Sequence, residues 1–167
     1  MVNRNDDKKK ELLESRPPTL EDLVSLCKNL NTQGAKYIVI GGMAIIQQGF
    51  VRATEDIDLL VDVSQENQEK IKSALSYLPD KAVLEVRPED LNKYVVVRIA
   101  DEIVIDLMKS ACGVEYLEAQ KDIVLVNIEG IEIPFANPQL LFKLKQSVRE
   151  KDSLDRLFLE RLLGNKG

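Results

Sequence analysis

The run Tyr37-Ile38-Val39-Ile40 is continuously apolar, breaks at Gly41-Gly42, and resumes at once as Met43-Ala44-Ile45-Ile46. Four apolar residues without alternation read as a strand buried on both faces, because a strand with one wet face alternates. Such a strand needs helices covering its sheet. The two glycines must then carry the backbone directly from strand into helix.

The rest of the chain supplies the cover. Thr19, with Asp22 three residues on, caps an amphipathic helix whose stripe is Leu20, Leu23, Val24, Cys27 and Leu30. Cys27 within that stripe reads as a buried thiol. A second apolar strand spans 57–63, and Ser64 caps a helix over 65–78. A short strand at 83–86 follows, then a turn or short helix after Pro88. Strands at 94–99 and 103–108 flank Asp101-Glu102 as a hairpin; a loop or helix covers 114–119; strands at 123–128 and 131–135 flank Glu129-Gly130 as a second hairpin. Asn137-Pro138 opens a helix, and a last one spans 152–163. The order gives an α+β (α/β-like) fold, a mixed sheet with flanking helices. Residues 1–18 read as a polar tail, and 19–167 as a single domain with C-terminal helices at about 138–163.

Composition then prunes the chemistry. The 167 residues contain no histidine, which excludes Ser-His-Asp and Cys-His catalysis and most catalytic zinc sites. Two cysteines, Cys27 and Cys112, without CxxC spacing indicate neither structural zinc nor a disulfide framework. Any catalysis falls to carboxylates, Lys, Arg and backbone amides, which suits hard cations such as Mg²⁺. The net charge of −5 argues against a general nucleic-acid binder, although residues 138–167 carry seven Lys/Arg against four Asp/Glu. No apolar run approaches the roughly 20 residues of a membrane span. The N-terminal stretch lacks the apolar segment of a signal peptide, so the expected location is cytoplasmic.

Three features carry chemistry. Gly41 and Gly42 place backbone N–H groups at a helix start, which serves either as a phosphate cradle or simply as a tight turn. Asp56 and Asp58, one residue apart at a strand start, project from one face with Cα atoms roughly 6–7 Å apart. They either hold a cation, face solvent, or pair with Arg52. Asp106 is the one charge within the strand Ile103-Val104-Ile105-Asp106-Leu107-Met108. It marks a bulge or an edge, or, if its strand lies beside that of Asp56 and Asp58, the third carboxylate of a cluster. Such a cluster can hold two divalent ions for displacement at phosphorus.

Gly41-Gly42, thirteen residues, Asp56-Ile57-Asp58, and then Asp106 between apolar neighbours resemble the DNA polymerase β-type nucleotidyltransferase superfamily, over about residues 36–108. Arg52-x-Thr54-x-Asp56-x-Asp58 and Lys145-x-x-x-Arg149-x-Lys151-Asp152-x-x-Asp155 extend the resemblance to small prokaryotic members related to abortive-infection toxin nucleotidyltransferases. The resemblance implies that Asp56, Asp58 and Asp106 ligate metal and are catalytic, with Asp106 able to take the acceptor's proton. It implies nucleotide binding by Gly41, Gly42, Arg52, Thr54 and Lys145, with Arg149 and Asp152 as accessory residues. Many superfamily members have serine after the first glycine; here it is Gly42. On one continuous helix Lys145, Arg149 and Asp152 would share a face, as a site or as a surface ladder of ion pairs.

The resulting expectation is a Mg²⁺-dependent nucleotidyltransferase, with two ions and Mn²⁺ as a substitute. It would move a nucleoside monophosphate from an NTP such as ATP to a hydroxyl on RNA, protein or a small molecule, and release pyrophosphate. The alternatives are a nucleotide-binding antitoxin-like or regulatory module, and a metal-dependent phosphodiesterase. With no second domain to hold an acceptor, a protein partner or a homodimer is among the expectations.

Overall fold

The computed structural model describes residues 15–145 and 150–164. Arg149 and most of the polar tail at 1–18 lie outside them.

Helix α1 (Leu20–Thr32) begins at a complete capping box. The Thr19 hydroxyl accepts from the Asp22 N–H and the Asp22 carboxylate accepts from the Thr19 N–H, so donors that the helix cannot satisfy find partners. Leu23, Val24, Leu26, Cys27 and Leu30 form its buried stripe. Strand β1 (Tyr37–Ile40) is buried at every residue and passes directly into α2 (Gly41–Gln47). Next come β2 (Asp56–Val61), α3 (Gln65–Leu75), the short α4 (Asp90–Lys93), and the hairpin of β3 (Val96–Ala100) with β4 (Val104–Met108). A small ribbon of β5 (Ser110–Ala111) and β6 (Val114–Glu115) leads into α5 (Tyr116–Ala119). The hairpin of β7 (Ile123–Ile128) and β8 (Ile131–Ala136), then α6 (Pro138–Leu144) and α7 (Glu150–Gly164), complete the described chain. Among the described residues no helix is long and apolar enough to cross a membrane.

Six strands form one sheet in the order β3-β4-β2-β1-β8-β7. The β2–β4 and β1–β8 pairs are parallel and the other neighbours antiparallel, so the sheet is mixed, as expected. Alternation along β2 and β4 sorts the side chains. Ile57, Leu59, Ile105 and Leu107 enter one apolar cluster with Leu26 and Leu30 of α1 and Ile71 and Leu75 of α3. Asp56, Asp58 and Asp106 take the other positions, and Asp58 stands directly opposite Asp106.

One expected strand is absent. Residues 82–85 form a 3₁₀ turn (Ala82–Glu85) entered through left-handed Lys81 at φ 50°. Asp101, buried in the β3–β4 turn, dictates this. Its carboxylate accepts from the N–H groups of Asp80 and Ala82 at 3.0 Å and of Glu102 at 2.7 Å. Those bonds fold the segment over the hairpin end instead of extending it along the sheet.

Two predictions follow from these contacts. Asp101→Ala strands three N–H donors and should cost about 2–4 kcal/mol by urea unfolding, with Asp101→Asn costing less. The Arg16 guanidinium beside Asp22 holds that carboxyl at about 2, below its ordinary 3.8. A depressed carboxyl stabilises the fold above its unfolded pKa, and the contribution is lost as pH falls through the folded value. Asp22→Asn should therefore flatten the decline in thermal stability between about pH 4 and pH 2, by less than about 1 kcal/mol because solvent screens the pair.

Candidate active site

Both glycines at the start of α2 are fixed by what lies against them. Gly41 has φ +68°, and a Cβ built there would sit 2.0 Å from Oδ2 of Asp58. At Gly42 a Cβ would sit 2.4 Å from Thr54 Oγ1 and 3.0 Å from Arg52 Nη2. The first turn of α2 thus presses its bare backbone against β2 and the loop before it. The helix start carries no side-chain cap. The glycine pair has a packing cause quite apart from any ligand. The Thr54 hydroxyl donates to the Asp56 carbonyl at 3.1 Å and fixes the entry into β2.

Asp56, Asp58 and Asp106 converge. One carboxylate oxygen from each lies within 4.8 Å of the others. Asp106 is buried, and Asp56 and Asp58 are half-buried. They line a polar cavity of about 110 Å³ with Gly42, Arg52, Thr54, Arg98, Met108 and Lys145. The carboxylates are hard oxygen donors gathered closely enough that the three could hold a metal ion.

Arg98 is the residue that sequence reasoning missed. It stands opposite Asp106 across the β3–β4 hairpin. Its Nε and Nη2 donate to the two Asp106 oxygens at 2.9 Å each, and Nη2 reaches Asp56 Oδ2 at 3.3 Å. The bonds to Asp106 push Arg98 even further toward its charged form. A signal was present in the sequence. A hairpin turning about Asp101-Glu102 pairs the one charge of the first strand with the one charge of the second.

The C-terminal residues assemble differently from the expected single helix face. Helix α6 ends at Leu144, Lys145 is its C-cap, and Asp152 belongs to α7. Lys145 and Asp152 nevertheless meet, with Lys145 Nζ 3.1 Å from Asp152 Oδ1 and 3.1 Å from Asp155 Oδ2. Asp155, a second residue missing from the expected set, is fully buried and also receives Arg52 Nη2 at 3.2 Å. Arg52 Nε lies 3.1 Å from Asp155 Oδ1, but its N–H is misaligned, so that contact is Coulombic only. Two cations and two carboxylates, all buried except the half-buried Arg52, thus form a chain from the 52–54 loop to α7. Arg52 pairs with Asp155.

Fold and cluster together describe an α+β protein with a mixed sheet that gathers three carboxylates beside a glycine-opened helix. No family model matches the chain, and no curated protein matches it. Among solved structures it is similar to the crystal structure of a Thermotoga maritima protein described as a "putative nucleotidyltransferase". The TM-score is 0.54 at 19% identity, over 89% of this chain and 93% of that one. At this identity the likeness establishes the fold, which this chain shares with the Thermotoga maritima protein.

Gly41→Ala should cost at least about 2 kcal/mol in chemical unfolding, from left-handed backbone strain of about 1–2 kcal/mol and the displaced Asp58 carboxylate. Gly34 shares φ +68°, but a Cβ there would meet only Lys70 Nζ, at 4.0 Å. Gly34→Ala should show the backbone part alone. Equal losses would mean that the contact with Asp58 is slack.

Proposed function

We propose that this chain is a divalent-metal-dependent nucleotidyltransferase, which moves a nucleoside monophosphate from an NTP to an acceptor hydroxyl. One observation carries the reading. Parallel strands β2 and β4 set Asp58 opposite Asp106, so that three carboxylates meet beside the bare first turn of α2. Three acids gathered in a half-buried cavity repel one another unless a cation neutralises them. The fold's likeness to a nucleotidyltransferase structure supports the same reading.

Asp56, Asp58 and Asp106 would hold Mg²⁺, as one or two ions, or Mn²⁺. The ion would supply charge neutralisation on the triphosphate and a lowered acceptor-hydroxyl pKa. The chain's own residues position and balance charge. Gly41 and Gly42 offer backbone N–H groups to phosphate oxygens, Thr54 holds Asp56 in place, and Lys145 contributes a cation at the cavity wall. Arg52, tied to Asp155, braces the loop. As the acceptor oxygen bonds to the α-phosphorus, the bond to the bridging oxygen breaks and pyrophosphate departs. We assign Asp106 to receive the hydroxyl proton. The sequence resemblance supports grouping the chain with the small prokaryotic toxin-related members; on this reading the acceptor would be RNA, a protein or a small molecule, met alone or through a partner or second subunit.

Thermal unfolding with Mg²⁺ and each NTP in turn tests the donor site. A ligand at 100 times its Kd adds about 2.7 kcal/mol, a Tm rise of roughly 5–10 °C at this size. The rise should need both metal and NTP and vanish in Asp58→Asn. Acceptor-dependent pyrophosphate release would establish transfer. Binding without release under any acceptor would indicate a regulatory module, and phosphodiester cleavage without NTP a phosphodiesterase.

A further inference from the structure

We infer that Arg98 is a resident counter-ion that must leave Asp56 and Asp106 when a divalent cation binds, and that its guanidinium then pairs with an anionic phosphate oxygen of the ligand arriving with the metal. The second half rests on the nucleotidyltransferase reading; the first rests on the acid cluster alone.

The geometry sets up the competition. Arg98 engages both oxygens of Asp106 and one of Asp56, which takes up lone pairs on two of the three carboxylates that would ligate a cation. A divalent ion on those oxygens would lie beside a guanidinium held at 2.9 Å from the same atoms, and like charges sharing one carboxylate repel. One partner has to yield, and burial decides which. The Asp106 side chain is 6% exposed and belongs to an interior strand, whereas the Arg98 side chain is 58% exposed and belongs to an edge strand. The arginine is the member with room to move.

The asymmetry also separates this pair from a structural ion pair such as Lys145 with Asp152, where both members are buried. A buried Asp106 requires a counter-charge at all times. Arg98 supplies it before the metal comes, and the metal supplies it afterwards. Once displaced, Arg98 remains tethered to β3 at the rim of the cavity. Its planar fork matches two phosphate oxygens as well as it matches a carboxylate. The cost of displacing Arg98 is thus recovered when the anion binds, which makes metal and anion binding mutually reinforcing.

The test is Mn²⁺ titration followed by electron paramagnetic resonance, on the wild-type chain, Arg98→Met and Arg98→Lys, each alone and with a non-hydrolysable ATP analogue. Without nucleotide, Arg98→Met should bind Mn²⁺ at least about fivefold tighter than wild type, with Arg98→Lys between them. With the analogue, the wild type should gain more Mn²⁺ affinity than Arg98→Met does. Removing the counter-ion should also lower the metal-free melting temperature, and saturating Mn²⁺ should restore it, which distinguishes lost charge balance from a damaged fold. Equal or weaker Mn²⁺ binding by a folded Arg98→Met would overturn the inference while leaving the transferase reading intact. Tighter Mn²⁺ binding with no response to the analogue in any variant would overturn the phosphate half and the transferase reading with it. Absence of Mn²⁺ binding in every variant would overturn both.

Discussion

The parallel pairing of β2 with β4 is the constraint on which the rest depends. It sets Asp58 against Asp106 near the middle of a covered sheet, where an uncompensated carboxylate costs several kcal/mol. The neighbouring features can be understood as answers to that placement. Arg98 faces Asp106 from the adjacent strand, α2 brings bare backbone to Asp58, and Thr54 ties down the strand entry. The opposite face of the same strands is wholly apolar and anchors the core through Ile57, Leu59, Ile105 and Leu107. A register slip of one residue would exchange the two faces, burying the acids among leucines. Fold stability and site geometry are therefore set by one choice of register.

The second organising element is ionic. Lys145, Asp152, Asp155 and Arg52 form a nearly dry chain with two charges of each sign. Such a network adds little net stability over a hydrophobic replacement, but removal of one member strands the others. It specifies position: it fixes where α7 docks relative to the 52–54 loop, and the loop in turn supports Gly42 and Asp56. Phe50 stacked on Phe158 at 4.9 Å holds the same junction from its apolar side. The 52–54 loop, and through it the acid cluster, is thus coupled to a helix that begins at Glu150.

Much of this was legible from residue order. The doubly buried strand, the capping box and both hairpins follow local rules, and the structure obeys them. The convergence of Asp106 with Asp56 and Asp58 needed one condition that sequence alone leaves open, namely which strands are neighbours. The failures share a cause. The 83–86 segment is apolar enough for a strand, but Asp101, far along the chain, captures the N–H groups of Asp80 and Ala82 just before it. The sequence offers Lys145 and Asp152 a shared face only on one continuous helix. Yet Lys145 caps α6, while the Arg156 guanidinium donates to its carbonyl and its ammonium reaches two carboxylates of α7. In both cases the deciding partner is a side chain outside the segment itself. Arg98 escaped notice for a different reason, because a lone arginine in a strand has meaning only once its cross-strand partner is known.

The contact between Gly42 and Thr54 has a consequence for how this site can vary. The two residues share a volume about the size of one methyl group, already filled by the threonine side chain. A side chain can therefore be placed at position 42 only if position 54 gives one up. Substitution at the two positions is linked by geometry, although one belongs to the helix and the other to the loop before β2.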